Sequence, residues 1–354
     1  MQRVQHARGW SFLPKVTFII TLGLITAATG FKASAVDVFT DPVGFITLNP
    51  VPNGLAFLGL GLTQIPAVRG LAGTASGQQL PLNVTMTPGQ FNATSEGAQF
   101  YIEDVATLSA NAGFSDDIVS NDAGNVYTAN SDGAFILNGD AFKIYPHQTL
   151  NTVFGPQNQA GLVGSNTLAN ADNIVVFNPV TQTPETYWFR TSGATPGWRG
   201  PAGVATDAGN TPLYVDQDVE IVSKYTKTTN SVMLVGAVKL GPTITVVPST
   251  GLAFVGNMYA TSLTLSNLNL HTGNANTGVI GSNTLANADN VVVWDPVAQT
   301  PVTYWFRTSG ATPGWRGPQG VATDAGTNVL AIGSVLQIQR KYAPAFEWTL
   351  PAQY

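Results

Sequence analysis

The chain has 354 residues, with 15 Lys or Arg against 20 Asp or Glu and no Cys, and only 10% of its residues are charged against 44% hydrophobic. The lack of Cys excludes a disulfide framework, thiolate metal ligands and a Cys nucleophile. A pI near 5.1 with few basic residues argues against nucleic acid, whose affinity comes largely from Lys and Arg on phosphates, while the apolar share is ample for a core.

The N-terminus reads as an export signal. Arg3, Arg8 and Lys15 supply positive charge, residues 16–30 form an apolar run, and Ala33-Ser34-Ala35 puts small residues at the −3 and −1 positions of a cleavage site. The run is short for a membrane span, which needs about 20 residues. Removal of residues 1–35 would start the mature chain at Val36 and leave 11 basic against 20 acidic residues. An acidic, Cys-free exported chain fits a bacterium, since small eukaryotic secreted domains usually carry disulfides. The expected location is extracellular or at the cell surface, with the periplasm as the alternative, and with no membrane span after cleavage.

Residues 36–62 are expected to hold the opening strands of a first repeat, around Val43-Gly44-Phe45-Ile46-Thr47-Leu48 and Gly54-Leu55-Ala56-Phe57. Residues 63–145 read as an inserted small β-domain. Its strand-like runs fall at 99–105, 125–128, 133–137 and 141–145, punctuated by Asp122-Ala123-Gly124-Asn125, Ser131-Asp132-Gly133 and Asn138-Gly139-Asp140 as hairpin turns. Residues 146–231 form the body of the first repeat, and residues 232–354 a second repeat.

The duplication is unmistakable. Residues 164–207 and 281–324 are identical at 38 of 44 positions, at a constant offset of 117. A fainter echo upstream matches Val43-Gly44 to Val235-Gly236, and Gly54-Leu55-Ala56-Phe57 to Gly251-Leu252-Ala253-Phe254. Each copy carries β-branched and aromatic runs at 173–177 and 185–191, split by Pro- and Thr-rich turn chemistry, so each reads as a three-stranded meander. Alternating apolar residues at 213–223 and 329–340 read as closing strands. Amphipathic helices are missing; only residues 162–173 have room for a turn or two. The expected fold is all-β: tandem duplicated meander, sandwich or barrel units with the inserted β-domain, the repeats packing on each other.

The segments Asp41-Pro42-Val43-Gly44-Phe45, Gly139-Asp140-Ala141-Phe142-Lys143-Ile144-Tyr145-Pro146 with Thr149-Leu150, and Gly197-Trp198-Arg199 carry a resemblance. Together they resemble a family of secreted proteins of unknown function, present as paralogues in Verrucomicrobia and related bacteria. The resemblance spans most of the mature chain. It implies a secreted, β-rich bacterial protein and supplies no activity or catalytic residue.

Little in the chain is shaped for catalysis. Only His147 and His271 remain after the signal, at non-equivalent places, which argues against imidazole metal sites and a duplicated Ser-His-Asp triad. The duplicated acids Asp172/Asp289 and Asp207/Asp324 sit among Asn, Gly and Ala, where Asp commonly caps its own turn. Calcium is the one cofactor considered: Asp116, Asp117, Asp122 and Asp132 lie in Asn/Gly-rich segments, though no EF-hand pattern is present. The most suggestive constellation is aromatic. Trp188, Arg190, Trp198 and Arg199 recur as Trp305, Arg307, Trp315 and Arg316, and these hold four of the six Arg of the mature chain. They are either a platform for a sugar ring or partner, or cross-strand Trp–Arg pairs stabilising the meander.

Two functions follow as expectations, neither of them enzymatic. The first is a structural or adhesive surface protein that associates with itself or with other surface components. Its contact would use the extended apolar N-terminus, with Val36, Val38, Phe39, Val43, Phe45, Ile46 and Leu48 as the assembly residues, adding to a neighbour's sheet. The second is a glycan-binding module with two similar sites, which requires exposed Trp188/Trp305 or Trp198/Trp315.

Overall fold

The computed structural model describes residues 41–354, apart from 131–132, 179–180, 194, 226–230, 311 and 343. The expected signal, Val36, Val38, Phe39 and Asp132 therefore lie outside the described residues. The first half opens with β1 (Val43–Leu48) and β2 (Leu55–Gly59). The insertion follows as β3 (Val68–Leu71), β4 (Gln79–Pro81), β5 (Phe100–Asp104), β6 (Ser115–Asn121), β7 (Asn125–Thr128) and β8 (Ala141–Pro146). The first half resumes with β9 (Gln148–Thr149), helix α1 (Leu150–Phe154), β10 (Asn173–Asn178), β11 (Thr183–Arg190) and β12 (Gly197–Arg199). It closes with β13 (Pro212–Leu213), β14 (Asp218–Val222) and β15 (Val232–Ala237). The second half runs β16 (Thr243–Val247), β17 (Gly251–Gly256), β18 (Leu263–Thr264), β19 (Asn290–Asp295) and β20 (Thr300–Arg307). It ends with β21 (Gly314–Arg316), β22 (Val329–Leu330), β23 (Val335–Arg340) and β24 (Phe346–Leu350). The fold is all-β, and every named ladder is antiparallel. Among the described residues no helix is long and apolar enough to cross a membrane.

The halves share one plan. The five-stranded sheet β12-β11-β10-β14-β2 is matched by β21-β20-β19-β23-β17. The β9–β13 pair is matched by β18–β22, and the β1–β15 ribbon by β16–β24. This last match corrects the echo read from sequence. Val43–Leu48 and the strand holding Val235 are not counterparts but partners, with Val43 opposite Ala237 and Phe45 opposite Val235. The strand of the second half that stands where β1 stands is β16, paired with β24. Each half keeps its own core, one around Trp198, Leu58 and Ile221, the other around Trp315, Trp348 and Ile338. The insertion forms a six-stranded sheet, β3-β8-β5-β6-β7-β4, over a third core around Phe91, Ile102 and Ile144.

Two local expectations change. Residues 133–137 make turns rather than a strand, with Phe135 and Ile136 turned into the core. The acidic segment Ser115–Asn121 is a strand; its buried positions Asp116 and Ile118 are fixed by pairing with β5 and β7. Helical content is small: one turn falls within the expected residues 162–173, and a second, not expected, lies at Leu150–Phe154. One turn of 3-10 helix forms at Leu168–Asn170, and α1 is a single capped turn in which Thr149 and Thr152 bond each other's backbone N–H.

The halves meet reciprocally, as across a pseudo-twofold axis. A Cβ on Gly59 would stand 2.9 Å from the Gly256 Cα, and one on Gly256 2.6 Å from the Gly59 Cα, so neither position takes a side chain. Gly59 N–H donates to the Gly333 carbonyl at 2.8 Å, and Gly256 N–H to the Asp216 carbonyl at 3.1 Å. At the other end of these edge strands a glutamine plays the part of a neighbouring peptide. Leu55 N–H donates to Gln299 Oε1 at 2.7 Å, and Gln299 Nε2 donates to the Leu55 carbonyl at 3.1 Å. Gln182 does the same to Leu252 at 2.9 and 3.0 Å. Both glutamines sit in the left-handed region, at φ 54° and 55°, a strain of about 1–2 kcal/mol that these bonds offset. Phe57 packs on Trp294 and Phe254 on Phe177, completing the exchange.

The insertion is pinned to both halves. Asp41, just ahead of β1, pairs with Arg69 at 2.6 Å and Lys143 at 2.8 Å. Glu103 of β5 pairs with Lys239, on the link between halves, and both are buried. Removing one partner of such a pair strands a buried charge, whereas removing both does not. Lys239→Met is expected to cost about 3–5 kcal/mol in urea unfolding, and Lys239→Met/Glu103→Leu to recover most of it. A single variant as stable as the parent would contradict the pinning.

Burial, and then the nearby charge of Glu220, push the Asp218 carboxyl from 3.8 up to about 7. The folded chain then holds a proton that the unfolded chain releases, so stability falls as pH rises from about 4 to about 7 and is flat on either side. Asp218→Asn is expected to raise the melting temperature at pH 8 and to change it little at pH 4. An equal effect at both values would count against this.

Candidate functional site

The repeated Trp–Arg block is scaffold. Trp188, Trp198, Trp305 and Trp315 are all buried, at 6%, 1%, 7% and 4% exposure, so no indole face is presented to a sugar. The glycan reading built on them is therefore set aside. Trp198 lies on the core face beside Phe189, and its Nε1–H donates to the Gly155 carbonyl at 3.0 Å. Trp188 faces Arg199 across the β11–β12 ladder, and Trp305 faces Arg316 across β20–β21. These are the cross-strand pairs of the plainer reading.

The buried guanidiniums act as pins. Arg199 donates from Nε to the Val204 carbonyl at 2.8 Å, from Nη1 to the Trp198 carbonyl at 2.6 Å and to Asp207 at 3.1 Å, and from Nη2 to the Thr195 carbonyl. Arg316 repeats the set on Val321, Trp315, Asp324 and Thr312. Half-buried Arg190 and Arg307 add a second donor to the same Val204 and Val321 carbonyls, each at 3.1 Å. The duplicated acids are likewise structural. Asp172 accepts from the Val163 and Lys224 N–H groups at 2.7 and 2.8 Å, and Asp289 from those of Ile280 and Lys341 at 2.8 Å each. They tie distant segments together rather than capping their own turns.

The assembly residues are partly committed. Ile46 and Leu48 pack against the first core, and all of Val43–Leu48 is paired to β15. That strand is thus held in its own ladder and is not a free segment to donate. The opposite face stays open: Val43, Phe45, Met233 and Val235 are 67%, 74%, 59% and 60% exposed. Phe45 stands directly opposite Val235, and Thr47 opposite Met233. The matching face of the β16–β24 ribbon sets Glu347 beside Val246 and Thr349 beside Ile244.

A cleft of about 550 Å³ opens where both halves and the insertion meet. The insertion and its exit supply Tyr101, Asp116, Asp117 and His147; β10, β11 and the turn before β14 supply Phe177, Glu185, Tyr187, Tyr214 and Asp216; the second half supplies Thr245 and Phe254. His147 is 5% exposed, with its ring 4.8 Å from that of Tyr101 and 4.9 Å from that of Tyr214. Its Nε2 lies 2.9 Å from Asp117 Oδ1, and its Nδ1 has no partner within the protein. Burial, together with the Asp117 charge, keeps the Tyr214 hydroxyl well above its usual range. Tyr187 is raised by burial and by its bond to Glu185, 2.7 Å away. These tyrosines are neutral donors at any ordinary pH.

The acids considered for calcium divide. Asp122 closes a turn with the Gly124 and Asn125 N–H groups, Asp116 receives Asn130, and Asp117 faces His147. Among the described residues no three His, Cys, Asp or Glu side chains gather to hold a metal ion. Sequence reasoning missed the cleft, yet a signal existed. Of the six positions at which the 44-residue copies differ, Phe177, Asn178 and Glu185 line the cleft, where the second copy has Trp294, Asp295 and Val302. Further on, Tyr214 and Asp216 stand where the second copy has Ala331 and Gly333.

Comparison with family models, with curated proteins and with solved structures returns no match.

Replacing a pin removes several hydrogen bonds made by a buried guanidinium, each worth about 1.5–3 kcal/mol. Arg199→Ala is expected to lower unfolding stability by at least about 3 kcal/mol. A loss under about 1 kcal/mol would make Arg199 an ordinary surface group.

Proposed function

We propose that the chain is a secreted structural or adhesive protein of a bacterial surface, in which one copy docks on another through the outer face of the β1–β15 ribbon. The observation that carries this reading is the contiguous exposure of Val43, Phe45, Met233 and Val235 on one face of a two-stranded ribbon. Apolar patches of this kind mark interaction surfaces. The partner we commit to is a second copy. The face holds no charge for a charged partner to read, and the outer edge of β1 has no ladder partner among the described residues. Two such ribbons are self-complementary in side chains and in backbone groups. The outer face of the equivalent ribbon of the second half carries Glu347 and no aromatic, so the contact is specific to one end of the molecule. Support from sequence is the signal-like leader and the sparse charge of the chain, which removes a common brake on strand association.

Light scattering on the purified protein tests this. A dimer or larger species is expected at micromolar concentration, and a monomer for Phe45→Asp/Val235→Lys. Both positions are exposed, so the variant should keep the parent's melting temperature. A parent that is monomeric at all concentrations, or a variant that still associates, would overturn the reading.

A further inference from the structure

The cleft has a chemistry that the proposed contact between copies does not use. We propose that it is a binding site for a small organic polycation, a linear polyamine with two or more ammonium groups.

The first ground is its charge. Five carboxylates line it, Glu96, Asp116, Asp117, Glu185 and Asp216, and no Lys or Arg does. The second ground is its hydrogen-bond balance. Several wall groups that can donate already do so, and to the wall itself. Tyr187 donates to Glu185 at 2.7 Å, Asn178 to Glu185 at 3.2 Å, and Thr245 to Asp216 at 2.6 Å. Asn130 donates to Asp116 at 3.1 Å, and Gln217 to the Phe177 carbonyl at 3.1 Å. A carboxylate has room for about four hydrogen bonds, so acceptor capacity remains after these donors are spent. The third ground is a pair of unsatisfied atoms. His147 Nδ1 and Glu96 Oε2 are buried without a partner within the protein. With Nε2 held at the Asp117 carboxylate, Nδ1 is the ring nitrogen left for a ligand. A neutral sugar brings acceptors as well as donors and would find few donors for them. An ammonium group brings donors only.

The remaining walls fit the same ligand. The rings of Tyr101, Tyr187, Tyr214, Phe177 and Phe254 line the cleft and supply apolar surface for the methylenes between cations. The acids are spread around the cleft and do not converge as a metal site would. Spread charges suit a ligand whose own charges are spaced along a chain. Burial, and then the charge of Asp207, raise the Glu96 carboxyl above its ordinary range, and a bound cation would offset both.

Calorimetric titration of the purified protein with spermidine, at low salt and in 0.5 M NaCl, tests the site. Saturable one-site binding is expected at low salt, weakened by salt, with a matching rise in melting temperature. Sorbitol and calcium chloride serve as neutral and metal comparators and are expected to give neither signal. Glu185→Gln/Asp216→Asn keeps shape while removing two charges, and is expected to weaken spermidine binding about tenfold or more, equivalent to about 1.4 kcal/mol or more. Phe45→Asp/Val235→Lys should bind spermidine as the parent does, which separates this inference from the contact between copies. Absence of heat and of thermal shift with spermidine, equal binding of sorbitol, preference for calcium, or a variant of unchanged affinity in the parent's fold would each overturn the proposal.

Discussion

The molecule turns on one close contact, the approach of Gly59 to Gly256 at the edges of two equivalent sheets. Backbones this near leave no room for a Cβ, and the contact fixes the halves at one distance. The rest of the junction follows from symmetry. Whatever one half offers, the other receives: Gln299 to Leu55 and Gln182 to Leu252, Trp294 to Phe57 and Phe177 to Phe254. An edge strand exposes unpaired N–H and C=O groups, and here the start of each edge is answered by a glutamine amide from the opposite half. The junction therefore holds the halves together and closes two edges that would otherwise be open to association. It leaves the β1–β15 ribbon with an exposed apolar face.

Duplication also explains which residues match and which do not. The arginine pins, the core tryptophans and the latching Asp172/Asp289 pair stay the same because each half needs them to fold. The acids peculiar to the first copy serve no such need. Glu185, Asp216, Asp218 and Glu220 have Val302, Gly333, Val335 and Gln337 as counterparts, so the second half folds on the same plan without those charges. The insertion interrupts the first half alone. The cleft thus arises where a common scaffold is broken twice, by added chain and by added charge.

Much of the strand pattern could be read beforehand because β-branched and aromatic runs broken by Pro, Asn and Gly have few other outcomes. The meanders at 173–199 and 290–316 belong to that class. The ribbons do not. Val43–Leu48 and Val232–Ala237 both contain a Val-Gly pair, yet likeness of sequence there is not likeness of position; antiparallel partners facing the same core carry similar residues too. Segment 115–121 was hidden by Asp116 and Asp117, since strand propensity there is overruled by the neighbours. The Trp–Arg block drew attention for its composition, but what decides exposure is whether a loop folds over the ring. Val204 and Val321, whose carbonyls the guanidiniums hold, sit in those loops. His147 gave no signal alone: its neighbours Asp117 and Tyr214 are 30 and 67 residues away along the chain.

A chain with so little charge has no structural reason to collect five carboxylates on one concave wall. Like charges raise one another's energy, more so beside apolar rings that exclude water. Asp218, buried behind the same sheet without a cation, adds to that cost. The second half demonstrates the less costly arrangement, with Val, Gly and Gln at the matching places. Departures from local favourability of this kind gather at sites where something other than folding is served. The insertion strengthens the point. It contributes three of the five carboxylates, Glu96 and the neighbouring Asp116 and Asp117 of β6, and it is fastened by ion pairs to Asp41 ahead of β1 and to Lys239 on the link between the halves. The cations of those pairs are spent on holding the insertion in place. None is spent on the cleft, and that unequal distribution leaves the wall with a negative field for a ligand to neutralise.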